Sequence, residues 1–364
     1  MTHSQRRDRL AAKLADGGLD AILVTDLVNV RYLSGFTGSN AALLVFAGDT
    51  PTVLATDSRY RTQAALQAPD VETVIERACG RHLVGRAVAD GAARIGFESH
   101  VVTVDGFDVL AREVAEHPAA GLVRASGTVE TLREIKDAGE IALLRLACEA
   151  ADAALTELVG VGGLRPGRTE REVGRQLEAL MLEHGADGPS FETIVAAGAN
   201  SAIPHHRPTD AVLASGDFVK IDFGALVGGY HSDMTRTFVL GPAAAWQLEI
   251  YELVAAAQQA GRNALDVGAE LSDVDGAARQ VIVDAGYGEY FGHGLGHGVG
   301  LQIHEAPGIN SAAAGTLLAG SVVTVEPGVY LPDRGGVRIE DTLVVGERSP
   351  ELLTRFPKEL AVLT

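Results

Sequence analysis

Asp222 stands where a carboxylate is expensive. Val219, Ile221 and Phe223 alternate with Lys220, Asp222 and Gly224, the period-2 pattern of a strand. The strand is apolar enough to be buried, and a buried carboxylate without a partner is costly. Gly228-Gly229 follow as turn chemistry, and Met234-Thr235-Arg236-Thr237-Phe238 resume an extended, β-branched pattern. Lys220 to Phe238 therefore reads as a β-hairpin. The midpoint between Asp222 and Asp233 falls beside that turn, which predicts that the two residues face each other, with Cβ atoms roughly 4.5–5.5 Å apart. Two carboxylates that close repel unless a cation or a proton lies between them. A divalent metal meets that need.

A second stretch repeats the device. Val322-Val323-Thr324-Val325-Glu326 and Gly336-Val337-Arg338-Ile339-Glu340-Asp341 are β runs, joined through Pro332-Asp333-Arg334-Gly335. Asp333 is the midpoint of Glu326 and Glu340, so this hairpin too delivers a facing pair of carboxylates. Between the hairpins lies Gly292-His293-Gly294-Leu295-Gly296-His297-Gly298. Six of the 11 histidines fall between positions 205 and 304. One histidine alone is usually a core or surface residue; several beside four strand-borne carboxylates point to a metal centre. Hard oxygen ligands with an imidazole suit a pair of divalent ions, with Mn²⁺, Co²⁺, Zn²⁺ and Fe²⁺ all compatible. Carboxylates bridging two such ions activate a shared water towards hydroxide near neutral pH, which is hydrolytic machinery.

Other chemistries fit less well. The glycine run spaces its glycines G-x-G-x-G-x-G rather than G-x-G-x-x-G, and no helical run follows at once, so it is not read as a phosphate cradle. Ser190, Ser201 and Ser232 lie near histidines in sequence, but no G-x-S-x-G elbow occurs. A formal net charge of −18 argues against a nucleic-acid or anionic-membrane partner. No run of 18 uncharged apolar residues predicts a membrane span. The two cysteines, Cys79 and Cys148, leave no role for a disulfide scaffold. With no apolar secretion segment after the basic start, a cytoplasmic protein is expected.

Along the chain, helices are expected at 5–17, 80–90 and 104–116. Strands are expected at Leu19–Thr25, Ala41–Ala47, Thr52–Thr56, Val71–Ile75, Arg94–Glu98 and Leu122–Arg124. That alternation predicts an α/β domain over residues 1–128, closing near Ser126-Gly127. The second domain, 129–364, begins with a helix emerging near Glu130 and clear from Ala138 to Leu158. Thr169-Glu170-Arg171-Glu172 then reads as a capping box for a helix reaching His184. A strand at Phe191–Ala196 and the first hairpin follow. Helices near 244–262 and 270–285 precede the glycine-histidine run and the second hairpin. Each half of this domain is thus two helices followed by strands.

These residues resemble the pita-bread metallopeptidases, in the branch of Xaa-Pro aminopeptidases and Xaa-Pro dipeptidases (prolidases). The resemblance rests on Ser201-Ala202-Ile203-Pro204-His205, Asp222-Phe223-Gly224, Ser232-Asp233-Met234-Thr235-Arg236-Thr237 and Gly296-His297-Gly298-Val299-Gly300. Ile303-His304-Glu305, Val325-Glu326-Pro327-Gly328 and Gly336-Val337-Arg338-Ile339-Glu340-Asp341 complete it. It implies an α/β (α+β) architecture: a creatinase-type N-terminal domain, then a pita-bread catalytic domain of two pseudo-twofold αβ halves.

The same resemblance implies metal ligands at Asp222, Asp233, His297, Glu326 and Glu340, with Asp233 and Glu340 bridging two divalent ions, Mn²⁺ first among the candidates. It implies catalytic roles for His205, His293, His304, Glu326 and Arg338. His205 rather than His206 is chosen because it directly follows Pro204. The expected reaction is attack by a metal-bridging hydroxide on the carbonyl before proline, in proline-containing peptides, by a homodimer. Many prolidases carry an arginine just after the histidine-glutamate segment to grip a dipeptide carboxylate; here His304-Glu305-Ala306-Pro307-Gly308 has glycine. That departure favours an aminopeptidase acting on longer peptides, with dipeptides also accepted. A creatinase-like amidinohydrolase without metal, or a non-catalytic binding protein on this fold, would be expected to have lost ligands. The extra N-terminal domain argues against a methionine aminopeptidase.

Overall fold

A computed structural model describes residues 1–363. The chain forms two compact units, Met1–Arg133 and Glu134–Thr364. The first contains α1 (His3–Asp16), β1 (Ala21–Val24), α2 (Leu27–Ser34), β2 (Ala41–Phe46), β3 (Val53–Thr56) and α3 (Arg61–Gln67). It continues with β4 (Glu72–Ile75), α4 (Cys79–Ala89), β5 (Arg94–Phe97), α5 (Val104–Ala115), β6 (Gly121–Arg124) and α6 (Glu130–Arg133). Its six strands form one mixed sheet in the order β4-β3-β2-β1-β5-β6. Ala21, Leu23, Leu44 and Ile95 of the sheet pack on Leu83 and Val84 of α4 and Leu110 of α5. Two helices went unanticipated, α2 and α3. In α2, Val28 and Val30 interrupt the helical propensity and the helix has only 8 residues. Tertiary packing and the Asp26 cap, which accepts from Val28 N–H, secure it.

The second unit begins with α7 (Ala138–Gly160) and α8 (Glu170–Glu183). No continuous helix runs on from Glu130: Asp137 caps α7 in a reciprocal box with Glu140, restarting the chain at Ala138. Thr169 and Glu172 form the anticipated box on α8. Then come β7 (Gly188–Pro189), β8 (Ile194–Ala197), β9 (Phe218–Phe223), β10 (Ala225–Val227), β11 (Tyr230–His231) and β12 (Met234–Leu240). The second half repeats the plan with α9 (Ala245–Asn263), α10 (Leu271–Asp284), β13 (Gly296–Gly298), β14 (Glu305–Ile309) and β15 (Val322–Val325). It ends with β16 (Gly328–Leu331), β17 (Gly335–Arg338), β18 (Asp341–Val344), β19 (Glu351–Leu352) and β20 (Val362–Leu363).

The two principal sheets run β20-β12-β9-β8 and β14-β13-β15-β18-β19. Each is backed by its own helix pair. Leu155 and Leu158 of α7 and Leu177 of α8 pack on Val219, Ile221 and Phe223. Val254 of α9 and Val274 of α10 pack on Val323 and Val325. Burying a side chain of this size contributes about 1.5–3 kcal/mol, so the apolar alternation of β9 fixes which face meets the helices. Lys220 and Asp222 are left on the opposite face, as the period-2 pattern requires.

The first hairpin corrects one expectation. Asp222 pairs with Thr235, not Asp233, and the same register carries on as Leu226 with His231 and Val227 with Tyr230. The loop is the two residues Gly228-Gly229, both at positive φ (56° and 81°), which a two-residue primed turn demands. Centring the turn between the glycines moves the turn centre by one residue and so the partner of Asp222 by two, from Asp233 to Thr235. Asp233 therefore lies diagonal to Asp222 on the same face, a spacing of roughly 7–8 Å in an ordinary ladder. In the second hairpin β15 pairs with β18 and β16 with β17, all about Asp333, so Glu326 and Glu340 occupy the level between the two ladders as anticipated.

Candidate metal centre

One cavity of about 290 Å³ collects the carboxylates of both hairpins. Asp222, Asp233, His297, Glu326 and Glu340 all line it, together with His205, His206 and His304. Candidate ligand atoms of Asp233, His297 and Glu340 lie within 4.8 Å of one another. His297 Nε2 is 3.6 Å from Asp233 Oδ2 and 3.4 Å from Glu326 Oε1. His304 stacks edge-on against His297, with ring centroids 4.3 Å apart.

The protonation pattern of these groups favours a cation. His297 Nδ1–H donates to the carbonyl of Gly298 at 3.1 Å, which leaves the Nε2 lone pair facing carboxylate oxygens. Burial holds this imidazole down at about 4, so at neutral pH it carries no proton to share there. Burial pushes Glu326 up to about 8, with Arg338 pulling against it and Asp222 adding to the rise. Burial, followed by the charge of Glu340, raises Asp233 well above the usual carboxylate range. Glu340 is raised likewise, by burial and then by Glu326 and Asp222. Asp222 Oδ1 is buried with no hydrogen-bond partner among the described residues. A buried acceptor left unmatched costs about 1–3 kcal/mol. Acceptors crowded round a lone pair, with one carboxylate oxygen orphaned, fit divalent metal held by hard oxygens and one imidazole.

Behind the cavity a buried chain of polar groups fixes Asp222. Arg338, 1% exposed, donates to Asp222 Oδ2 through Nη2, to Thr235 Oγ1 at 3.0 Å through Nε, and to Tyr330 Oη at 2.8 Å through Nη1. His293 Nδ1–H donates to Gly294 O at 2.8 Å, so its Nε2 accepts the Tyr330 hydroxyl proton, also at 2.8 Å. Burial, then Arg338, lowers His293 to about 4, consistent with a neutral ring. His293 and Arg338 are thus joined to the site from behind, and neither is among the residues lining the cavity. His231 lies off the cavity as well, bonded to Ser190 Oγ at 2.8 Å.

Several residues at the site escaped sequence reasoning. Thr235 links the hairpins, Tyr330 links Arg338 to His293, and Glu170 accepts from His206 Nε2 at 2.8 Å. Phe191, Ile194 and Ile303 supply apolar wall, and Glu192 and Arg207 pair at 3.0 Å at its edge. The signal for Thr235 was present in the ladder: it is the residue directly opposite Asp222, once the turn is centred on the two glycines. Nothing local marks Tyr330 or Glu170.

Comparison with known proteins agrees with this geometry. Residues 142–347 match the model of metallopeptidase family M24, and residues 6–135 match the creatinase/prolidase N-terminal domain. The chain belongs to metallopeptidase family M24. Its fold is mixed α/β, a creatinase-type N-terminal domain followed by the family's pita-bread domain, and the family implies divalent metal. Among relatives, the uncharacterized peptidase YqhT of Bacillus subtilis is 40% identical over 95% of this chain and 96% of its own. An Xaa-Pro dipeptidase from Bacillus anthracis superposes with a TM-score of 0.94 at 38% identity, over 100% of both chains. An X-Pro aminopeptidase from Thermotoga maritima superposes with a TM-score of 0.89 at 34% identity, over 98% of this chain and 99% of that one.

Proposed function

We propose that the protein is a dinuclear metallopeptidase that hydrolyses the Xaa-Pro bond at the N-terminus of peptides. In this reading it is an Xaa-Pro aminopeptidase that also accepts Xaa-Pro dipeptides. The observation that carries the reading is the cluster of Asp233, His297 and Glu340 in one cavity with Asp222 and Glu326, with the His297 lone pair turned towards carboxylates.

The roles in this reading are those that the resemblance to the proline peptidases implies at these positions, and the gathering of the side chains in one cavity supports them. Asp222, Asp233, His297, Glu326 and Glu340 would hold the divalent ions. When bound, the ions polarise the scissile carbonyl and acidify water. Glu326, at the cavity wall, takes the proton of the attacking water. His205 and His304 donate towards the oxygen on which charge develops. Arg338 keeps Asp222 aimed, and His293 steadies Arg338 through Tyr330. Phe191, Ile194 and Ile303 offer apolar surface for the proline ring. Proline's amide nitrogen has no hydrogen to give, so the site need not supply an acceptor for it.

Mn²⁺ is the ion we favour, since four of the five ligands are carboxylates. The homodimer rests on the resemblance to the proline peptidases; the division into domains at residues 1–128 and 129–364 rests on the alternation of strands and helices together with that resemblance. A cytoplasmic location is supported by two unpaired, buried cysteines. No helix among the described residues is long and apolar enough to cross a membrane. The test is release of the first amino acid from Ala-Pro-Ala and Ala-Pro by Mn²⁺-loaded protein, with Ala-Ala-Ala as the control. Cleavage before proline, abolished by chelator, is expected; equal cleavage of all three peptides would overturn the proline assignment.

A further inference from the structure

The segment that carries His205 into the cavity has no regular secondary structure after Ala202, and His205 is exposed. Its ring makes no hydrogen bond to any described residue, so its placement depends on its backbone. That backbone is held from the strand that also carries Asp222. Lys220 Nζ donates to the carbonyl of Ile203 at 2.7 Å and to that of Pro204 at 3.2 Å. Arg338 Nη1 reaches the same Pro204 carbonyl at 3.2 Å. On the other flank, His206 Nε2–H donates to Glu170 Oε2 at 2.8 Å, and Thr209 N–H donates to the same oxygen at 2.9 Å.

Lys220 is 0% exposed. No carboxylate pairs with it among the described residues; its Nζ meets two carbonyls and the face of Tyr330, 4.9 Å from the ring centroid. A buried lysine nitrogen with no counter-ion is costly, and it is retained only where its N–H donors are used. Here they are used on the two residues that immediately precede His205.

We propose that Lys220 is a positioning residue for His205, clamping the Ile203 and Pro204 carbonyls so that the imidazole stands over the reacting carbonyl. The inference rests on the reading of His205 as a group that touches the substrate. It assigns no contact between Lys220 and substrate or metal. A lysine that only stabilised the fold would act equally on every part of the site, whereas a clamp acts through one side chain.

A double-mutant cycle separates the two. kcat and KM for an Xaa-Pro-Yaa peptide are measured with Mn²⁺-loaded wild type, Lys220→Met, His205→Ala and the double variant. Loss of placement lowers kcat about tenfold to a hundredfold in Lys220→Met, with KM within about twofold. In the His205→Ala background the same change costs less than about twofold, because the group it places is gone. Mn²⁺ affinity, read by calorimetry, stays within about threefold of wild type. Additive losses, or a collapse of metal affinity, overturn the proposal. A His205→Ala variant as active as wild type would instead remove His205 from the reaction, a separate failure. Should Lys220→Met not fold, Lys220→Gln goes through the same cycle under the same criterion.

Discussion

Thr235 Oγ1 donates to Glu340 Oε2 at 2.6 Å, across 105 positions of sequence. The same hydroxyl accepts from Arg338 Nε at 3.0 Å, and Thr235 is the ladder partner of Asp222. One oxygen therefore ties the first carboxylate hairpin to the second, and its orientation is fixed by having one acceptor and one donor to serve.

Thr235→Val tests that tie, since valine keeps the shape and removes the hydroxyl. Glu340 loses a donor and Arg338 Nε loses an acceptor, each buried, at a cost of about 1–3 kcal/mol. Groups that orient ligands typically change metal affinity about 10–100-fold. The expected result is Mn²⁺ binding weakened by that range in calorimetry, with a folded chain. Unchanged affinity would show that the bond does not orient Glu340.

Asp233→Ala and Glu340→Ala each remove a proposed bridge between two ions. Turnover that depends on metal should fall at least a hundredfold in either variant, with the fold retained by circular dichroism. Near-normal rates in either one would strike that residue from the ligand set.

The metal-free protein should have an unusual stability profile with pH. Glu326 is raised from 4.5 to about 8, and Asp233 and Glu340 are raised in the same direction by burial and then by neighbouring carboxylates, Glu340 acting on Asp233 and Glu326 on Glu340. Folded values above the unfolded ones mean that the fold keeps protons that the unfolded chain has released. The stability linked to these protons is complete below the ordinary glutamate value of 4.5 and is lost as pH climbs through about 8. Metal takes the place of those protons. Tm of the chelated protein should therefore fall between about pH 5 and pH 8, and the gain in Tm from Mn²⁺ should widen over the same interval. Parallel curves with and without metal would contradict this.

Gly308 lies opposite His297 in the β13–β14 ladder. A Cβ built there meets nothing closer than Asn310 Nδ2 at 3.5 Å, so a side chain fits. Wild type should cleave Xaa-Pro-Yaa at least as well as Xaa-Pro by kcat/KM. Gly308→Arg supplies a cation for a dipeptide carboxylate and should shift that ratio about tenfold towards Xaa-Pro, or ~1.4 kcal/mol. A wild-type preference for dipeptides, or no shift in the variant, would count against the role given to Gly308.

What could be read from the chain alone tracks how local each signal is. Asp222 was legible because one charge interrupts an apolar alternation, and Glu326 with Glu340 because their midpoint falls on turn residues. The partner of Asp222 lies two residues beyond the expected Asp233, since register depends on whether Gly228 and Gly229 share the turn, a fact of φ angles rather than composition. Helix α2 escaped because eight residues with two valines carry little helical period. Lys220, Thr235, Tyr330 and Glu170 gain their meaning from partners distant in sequence, such as Thr235 with Glu340 and Glu170 with His206, and no spacing rule reaches that far. His293 and Arg338 were picked out from motifs, but their station behind the cavity depended on Tyr330.

Metal titration against catalysis addresses the central claim directly. Protein stripped by chelator and dialysed is titrated with Mn²⁺ while release of alanine from Ala-Pro-Ala is followed. The account predicts no turnover without metal and a rise that levels at two equivalents per chain. Full activity in the stripped protein, or none at any metal concentration, would contradict it.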